Sequence, residues 1–172
     1  MRVLFVCTGN ICRSAFAERY AQSSAPDPQW QFTSAGTYAM VGDPMDPPMA
    51  AVAQAHGADP IGFVSQQLDR DLIDQADLIL PMESHHRSYI LDDFPTLVKR
   101  TFTLGQLDRL ISSVPDELTG AALVAEVGAR RDRARSRDNV ADPYRRGDEA
   151  MNAAASQIAG ALDRILPRLT EG

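Results

Sequence analysis

Cysteine is scarce in this chain, with two among 172 residues. So few thiols exclude a disulfide scaffold and make a reducing cytoplasm the expected compartment. Long apolar runs are missing as well. None approaches the roughly 20 residues needed to span a bilayer, so no membrane insertion is expected. The amino terminus lacks the charged lead, apolar stretch and small-residue cleavage site of a signal peptide. Histidine is nearly as rare as cysteine, and His56, His85 and His86 form no ligand constellation. The adjacent pair on a helix cannot easily face one ion, so no metal is expected. No glycine-rich nucleotide motif followed by lysine occurs, and no cofactor is expected. Excess positive charge is absent too: the net charge of -6 argues against a broad nucleic-acid or anionic-membrane surface.

What is present is ordinary for a globular protein, with 44% hydrophobic and 23% charged residues. No repeat, low-complexity tract or linker divides the chain, and residues 1–172 read as a single domain. Arg2 to Val6 is short, branched and apolar, a buried strand. The spacing of Phe16, Ala17, Tyr20 and Ala21 predicts a helix over 14–23, and Pro26 and Pro28 mark a loop. A second strand is expected at 30–34, then a Gly- and Pro-rich connection over 35–48. Helices are expected at 49–56, with Gly57 as C-cap, at 68–75 and at 83–94. Strands are expected at 76–82 and 99–104, and a helix at 106–112. Residues 117–137 are mixed and then strongly basic. A last helix over 148–168 places Met151, Ala155, Ile158, Ala159, Leu162, Ile165 and Leu169 on one face.

Strands alternating with helices imply an α/β fold with a parallel sheet covered on both sides, and ligands bind beyond the carboxyl ends of such strands. Cys7 stands at that end of the first strand. Between Cys7 and Arg13 the chain "CTGNICR" must turn from strand to helix. Amides in such a turn can form a nest, and the helix start adds partial positive charge. Gly9 permits a positive φ, and Asn10 tolerates one. A tetrahedral dianion fits that cup, and the planar fork of Arg13 can grip two of its oxygens. The same field favours the thiolate of Cys7, the form that attacks, and Ser14 can donate a hydroxyl hydrogen bond to it. The plain alternative makes Cys7 a small core residue and Arg13 an exposed helix starter. The Gly and Asn inside the turn favour the functional reading.

"VCTGNICRS" (6–14) resembles the phosphate-binding loop of the low-molecular-weight protein tyrosine phosphatases. Further echoes follow in order: "SAGT" (34–37), "VG" and "DP" (41–42 and 46–47), "ADLILPME" (76–83) and "DPY" (142–144). The resemblance covers nearly the whole chain. It implies a three-layer sandwich with a four-stranded parallel sheet, metal-free phosphate-ester hydrolysis and a covalent cysteinyl-phosphate. It makes Thr8, Gly9, Asn10, Ile11, Cys12, Arg13 and Ser14 the phosphate-binding loop.

An aryl leaving group needs a proton, so a carboxylic acid is expected opposite the nucleophile, buried enough to stay protonated beside a phosphate. Asp-Pro alone signals only a turn, and Asp43-Pro44, Asp46-Pro47 and Asp59-Pro60 show how common it is here. The family carries its acid in an Asp-Pro-Tyr before the last helix, which implies Asp142 as general acid and then base. Tyr144 would pack beside a substrate ring, with loop packing as the plain alternative. Tyr38 and Met40 are expected as pocket walls on the same terms. Cys12 has two readings. One is a small buried side chain; the other, which the family implies, is a disulfide with Cys7 that guards against over-oxidation.

Related activities are set apart by single residues. Arsenate reductases that resemble the family use a third cysteine, which this chain lacks. Protein-arginine phosphatases of the family place threonine where this chain has Ile11, and an aliphatic residue there fits an aryl ester better. "AMVG" and "DPYRR" look closer to bacterial phosphatases paired with tyrosine kinases, so a phosphotyrosine protein, such as a bacterial tyrosine kinase, is the expected partner. A monomer or weak dimer is expected. The basic stretch "ARRDRARSRD" (129–138), with Arg145 and Arg146, reads as a solvated, partly mobile face or as an electrostatic lip for acidic tails.

Overall fold

A computed structural model describes residues 1–25, 30–130 and 132–169. The proline loop at Pro26 and Pro28, and Arg131 of the basic stretch, lie outside the described residues.

The apolar run at the amino terminus forms β1 (Arg2–Cys7), buried from its second residue onward. It is the middle strand of a parallel sheet ordered β2-β1-β3, with β2 at Gln31–Gly36 and β3 at Leu78–Pro81. Alternation along β1 divides the core. Val3, Phe5 and Cys7 face one cluster, and Leu4 and Val6 face the other. On the first face lie α1 (Arg13–Ser24), α2 (Pro47–Ala55), α5 (Leu104–Ile111), α6 (Gly120–Ala129) and α7 (Gly147–Leu169). On the second lie α3 (Arg70–Gln75) and α4 (Ser84–Asp93), through Ile73 and Ile90. The helix–sheet–helix layering is therefore as expected.

The fourth strand is not formed. Residues 99–104 contribute one isolated parallel bridge, Thr101 to Ile79. Their ends are taken by other structure: Pro95–Lys99 winds into a 3₁₀ turn, and Thr103 caps α5 in a reciprocal box with Gln106. Only about two residues are left extended, so the sheet has three strands among the described residues. The mixed region hides α6, whose Leu123, Val124 and Val127 are buried. All seven residues expected on the inner face of the last helix are buried, and Gly57 takes the expected left-handed φ of 79° after α2.

The three carboxyl ends share one edge of the sheet. Cys7 ends β1 opposite Gly36, the last residue of β2. A Cβ on Gly36 would lie 2.4 Å from the Thr8 carbonyl oxygen, so only glycine lets β2 pass the turn that follows Cys7.

Candidate active site

The chain leaves β1 at Cys7 and enters α1 at Arg13. Asn10 takes the left-handed conformation, with a φ of 55°. The sequence offered both Gly9 and Asn10 for that role, and Gly9 is not among the described positive-φ residues. Asn10 is held there by its side chain. Its amide donates to Ser14 Oγ at 2.9 Å and Ser34 Oγ at 2.8 Å, and its Oδ1 accepts from Gln66 N at 2.8 Å. Ser34 in turn donates to Glu18 Oε2 at 2.7 Å. Burial pushes the Glu18 carboxyl up from its ordinary value, against the Ser34 hydrogen bond.

Carbonyls of the loop are turned outward. Cys7 O accepts from Thr37 N, Thr8 O from Tyr38 N, Gly9 O from Met40 N, and Ile11 O from Asp46 N, all at 2.9–3.0 Å. Outward carbonyls turn amides to the concave side, as the nest requires, and Asn10 N–H points at Cys7 Sγ at 3.3 Å. Ser14 Oγ lies 2.9 Å from the same sulfur. Asn10 and Ser14 thus stand behind the loop as supports, while Thr8, Gly9, Ile11 and Cys12 line its concavity.

Arg13 is 2% exposed. Its Nη1 donates to Glu83 Oε1 and, at 2.8 Å, to Val140 O. Nη2 faces Asp142 Oδ1 at 3.5 Å, and the buried Nε has no hydrogen-bond partner among the described residues. One corner of the fork is anchored, and the Nε–Nη2 edge remains for a ligand with two oxygens. Glu83 was not singled out from the sequence. Its signal is an acid directly after the carboxyl end of β3, in "LPME".

Cys7, Arg13, Asp142, Tyr38, Met40 and Tyr144 all line one cavity of about 210 Å³ with the loop. The burial expected of Asp142 is absent: its side chain is 44% exposed, on a turn where Oδ1 accepts from Tyr144 N at 3.3 Å. Tyr144 is half-buried against the core, with the Arg145 guanidinium 5.0 Å above its ring. Tyr38 is 75% exposed, an outer wall.

Cys12 is buried, and its Sγ lies 3.8 Å from Asp46 Oδ2. Burial pushes its thiol well above the usual range, and the negative charges of Asp46, Cys7 and Asp142 add to this. His86 is a second supporting residue that the sequence did not mark. It is fully buried, with Nε2 2.8 Å from Thr8 Oγ1, and burial lowers its pKa to about 3.

In the basic stretch Arg133, Arg135 and Arg137 are exposed, while its aspartates are tied to α5. Arg109 reaches Asp132 at 2.5 Å and Asp138 at 2.9 Å, and Arg135 N donates to Asp138. Against the cost of burial, Arg109 holds the Asp138 carboxyl below its ordinary range. Among the described residues no group of three or more His, Cys, Asp or Glu could hold a metal ion.

A cysteine and an arginine facing one oxyanion cradle, at the carboxyl edge of a parallel sheet, define the class of cysteine-dependent phosphatases. Residues 2–120 match the low molecular weight phosphotyrosine protein phosphatase family, and the chain belongs to that family. It is accordingly a protein-tyrosine phosphatase, a hydrolase. It is 30% identical over 167 residues to a probable low molecular weight protein-tyrosine-phosphatase, EpsP, of Ralstonia nicotianae, across 97% of this chain and 94% of that one. The tyrosine phosphatase AmsI of Erwinia amylovora superposes with a TM-score of 0.76 at 28% identity, over 99% of this chain and 93% of that one. The YwlE arginine phosphatase of Geobacillus stearothermophilus also gives 0.76 at 28% identity, over 98% and 92%.

Proposed function

We propose that this protein hydrolyses phosphotyrosine on proteins in two steps, with Cys7 as nucleophile, Arg13 as phosphate clamp and Asp142 as acid and then base. The carrying observation is that the Cys7 sulfur, the Arg13 guanidinium and the Asp142 carboxyl line one cavity. In the first step the Cys7 thiolate attacks phosphorus. The S–P bond forms as the P–O(aryl) bond breaks, and Asp142 gives its proton to the departing phenolate oxygen. In the second step Asp142 takes a proton from a water that attacks phosphorus. The S–P bond breaks, releasing phosphate and restoring the thiolate. Loop amides and Arg13 hold the equatorial oxygens through both steps.

The substrate in this reading is a phosphotyrosine protein such as a bacterial tyrosine kinase, met in the cytoplasm. Support comes from the family, from Ile11 in the loop and from relatives named as tyrosine phosphatases. No helix among the described residues is long and apolar enough to cross a membrane. Likeness to the YwlE arginine phosphatase keeps phosphoarginine as the second reading.

Phosphotyrosine, phosphoserine and phosphoarginine peptides compared on wild type, Cys7→Ser and Asp142→Asn decide between them. Turnover of phosphotyrosine, abolished in Cys7→Ser and lowered about a hundredfold or more in Asp142→Asn, is the expected result. Turnover led by phosphoarginine moves the assignment to the second reading.

A further inference from the structure

Seven large apolar side chains are exposed among the described residues, and they are not scattered. Tyr38 and Met40 line the catalytic cavity, Val41 follows Met40, the Tyr89 ring faces Tyr38, and Ile61 and Val64 stand on the segment that is hydrogen-bonded to residues 42–43. Single exposed hydrophobes are normal, whereas a contiguous set beside a mouth marks an interaction site.

Contiguity follows from the main chain. Tyr38 N and Met40 N are bonded to carbonyls of the phosphate loop. Gly42 N donates to Ser65 O and Ser65 N to Asp43 O, at 2.9 and 2.8 Å, which clamps the two outer segments together. Ser65 Oγ reaches Gly9 O at 3.1 Å, tying both to the loop. Val41 and Val64 each stand one residue before this clamp with their side chains in solvent, and Ile61 tops the turn closed by Phe63 N and Pro60 O. At the other end, the Tyr89 ring lies 6.4 Å from Tyr38. These hydrophobes are therefore displayed by bonded segments. Beside Tyr144, which also lines the cavity, Arg145 and Arg146 are exposed and charged.

We propose that the crescent formed by Val41, Val64 and Ile61 docks the polypeptide beside the phosphotyrosine and selects substrates with a bulky aliphatic side chain there. This rests on the phosphotyrosine reading above. Continuity with the cavity names the occupant. Met40 lines the cavity and Val41 follows it, so an extended substrate reaches the crescent within about two to four residues of its phosphotyrosine. An anionic membrane is disfavoured by the net charge of -6 and by exposed Asp43 and Asp59 on this side.

The test uses phosphotyrosine peptides with glycine and serine flanks, and matched peptides with leucine two to four residues before or after the phosphotyrosine. Steady-state kinetics are compared on wild type and on the triple variant Val41→Ser, Ile61→Ser, Val64→Ser. The expected result is a preference of about tenfold in kcat/KM for one leucine register, carried by KM. That preference disappears in the triple variant, while turnover of p-nitrophenyl phosphate stays unchanged. Equal kcat/KM for all peptides on wild type, or a preference that survives the triple variant, overturns the proposal while leaving the phosphatase reading intact. Self-association of wild type that the triple variant abolishes, without any peptide preference, assigns the crescent to a second copy and also overturns it. If no phosphotyrosine peptide is hydrolysed, the underlying reading fails and takes this proposal with it.

Discussion

Cys12 Sγ lies 3.8 Å from Asp46 Oδ2, so the second thiol of the active-site loop is held beside a carboxylate. Burial and that charge keep it protonated and unreactive on its own. Peroxide would oxidise Cys7 to a sulfenic acid, and the Cys12 thiol could then condense with it, water leaving as the disulfide forms. The expected outcome is an inactive form that dithiothreitol restores, with recovery lost in Cys12→Ser. Asp46→Asn should raise the recoverable fraction by easing ionisation of Cys12. Full recovery in Cys12→Ser would refute the guarding role.

Glu83 supplies the anchored corner of Arg13, and Glu83→Gln keeps its shape but removes the counter-charge from a buried cation. We expect kcat to fall about tenfold to a hundredfold, with competitive inhibition by inorganic phosphate weakened in parallel. An unchanged inhibition constant would show that Glu83 does not set the fork.

His86 is buried with a folded pKa of about 3, far below its ordinary 6.5. The unfolded chain takes up a proton as pH falls through about 6.5, whereas the folded state resists until about 3. The stability owed to this residue is therefore whole above pH 6.5 and declines toward pH 3. Urea unfolding at pH 7 and pH 5 should show His86→Gln losing about 1–2 kcal/mol less than wild type over that interval. Nδ1 is buried with no partner among the described residues, so a proton on Nε2 leaves no N–H unpaired, and Nε2–H donates to Thr8 Oγ1. The threonine hydrogen is then free to turn into the cavity.

The nucleophile loop could be read from the chain because its chemistry is local: Cys7, Arg13 and the turn between them lie within seven consecutive residues. The choice of Asn10 over Gly9 for the left-handed position was not legible. Both residues tolerate it, and Ser34 and Gln66, distant in sequence, decide it. The supposed fourth strand has the branched composition of one, yet Pro95 and the Thr103 cap claim its ends, and no window of residues weighs those claims against pairing. Glu83 and His86 reach the loop through partners 70 and 78 residues earlier. Asp142 was placed by resemblance, and the burial expected of it failed because its turn stands at the rim.

Val140 N donates to Met82 O at 2.9 Å while Val140 O receives Arg13. This single residue, two ahead of Asp142, stitches the Asp142 turn to the end of β3 and to Arg13 itself. The address of Asp142, the acid of the proposed mechanism, is thus written by a fastening rather than by the number of residues between α6 and that fastening. In the proposed mechanism, changes of length or charge ahead of Val140 that keep its two hydrogen bonds leave the reach of Asp142 as it is.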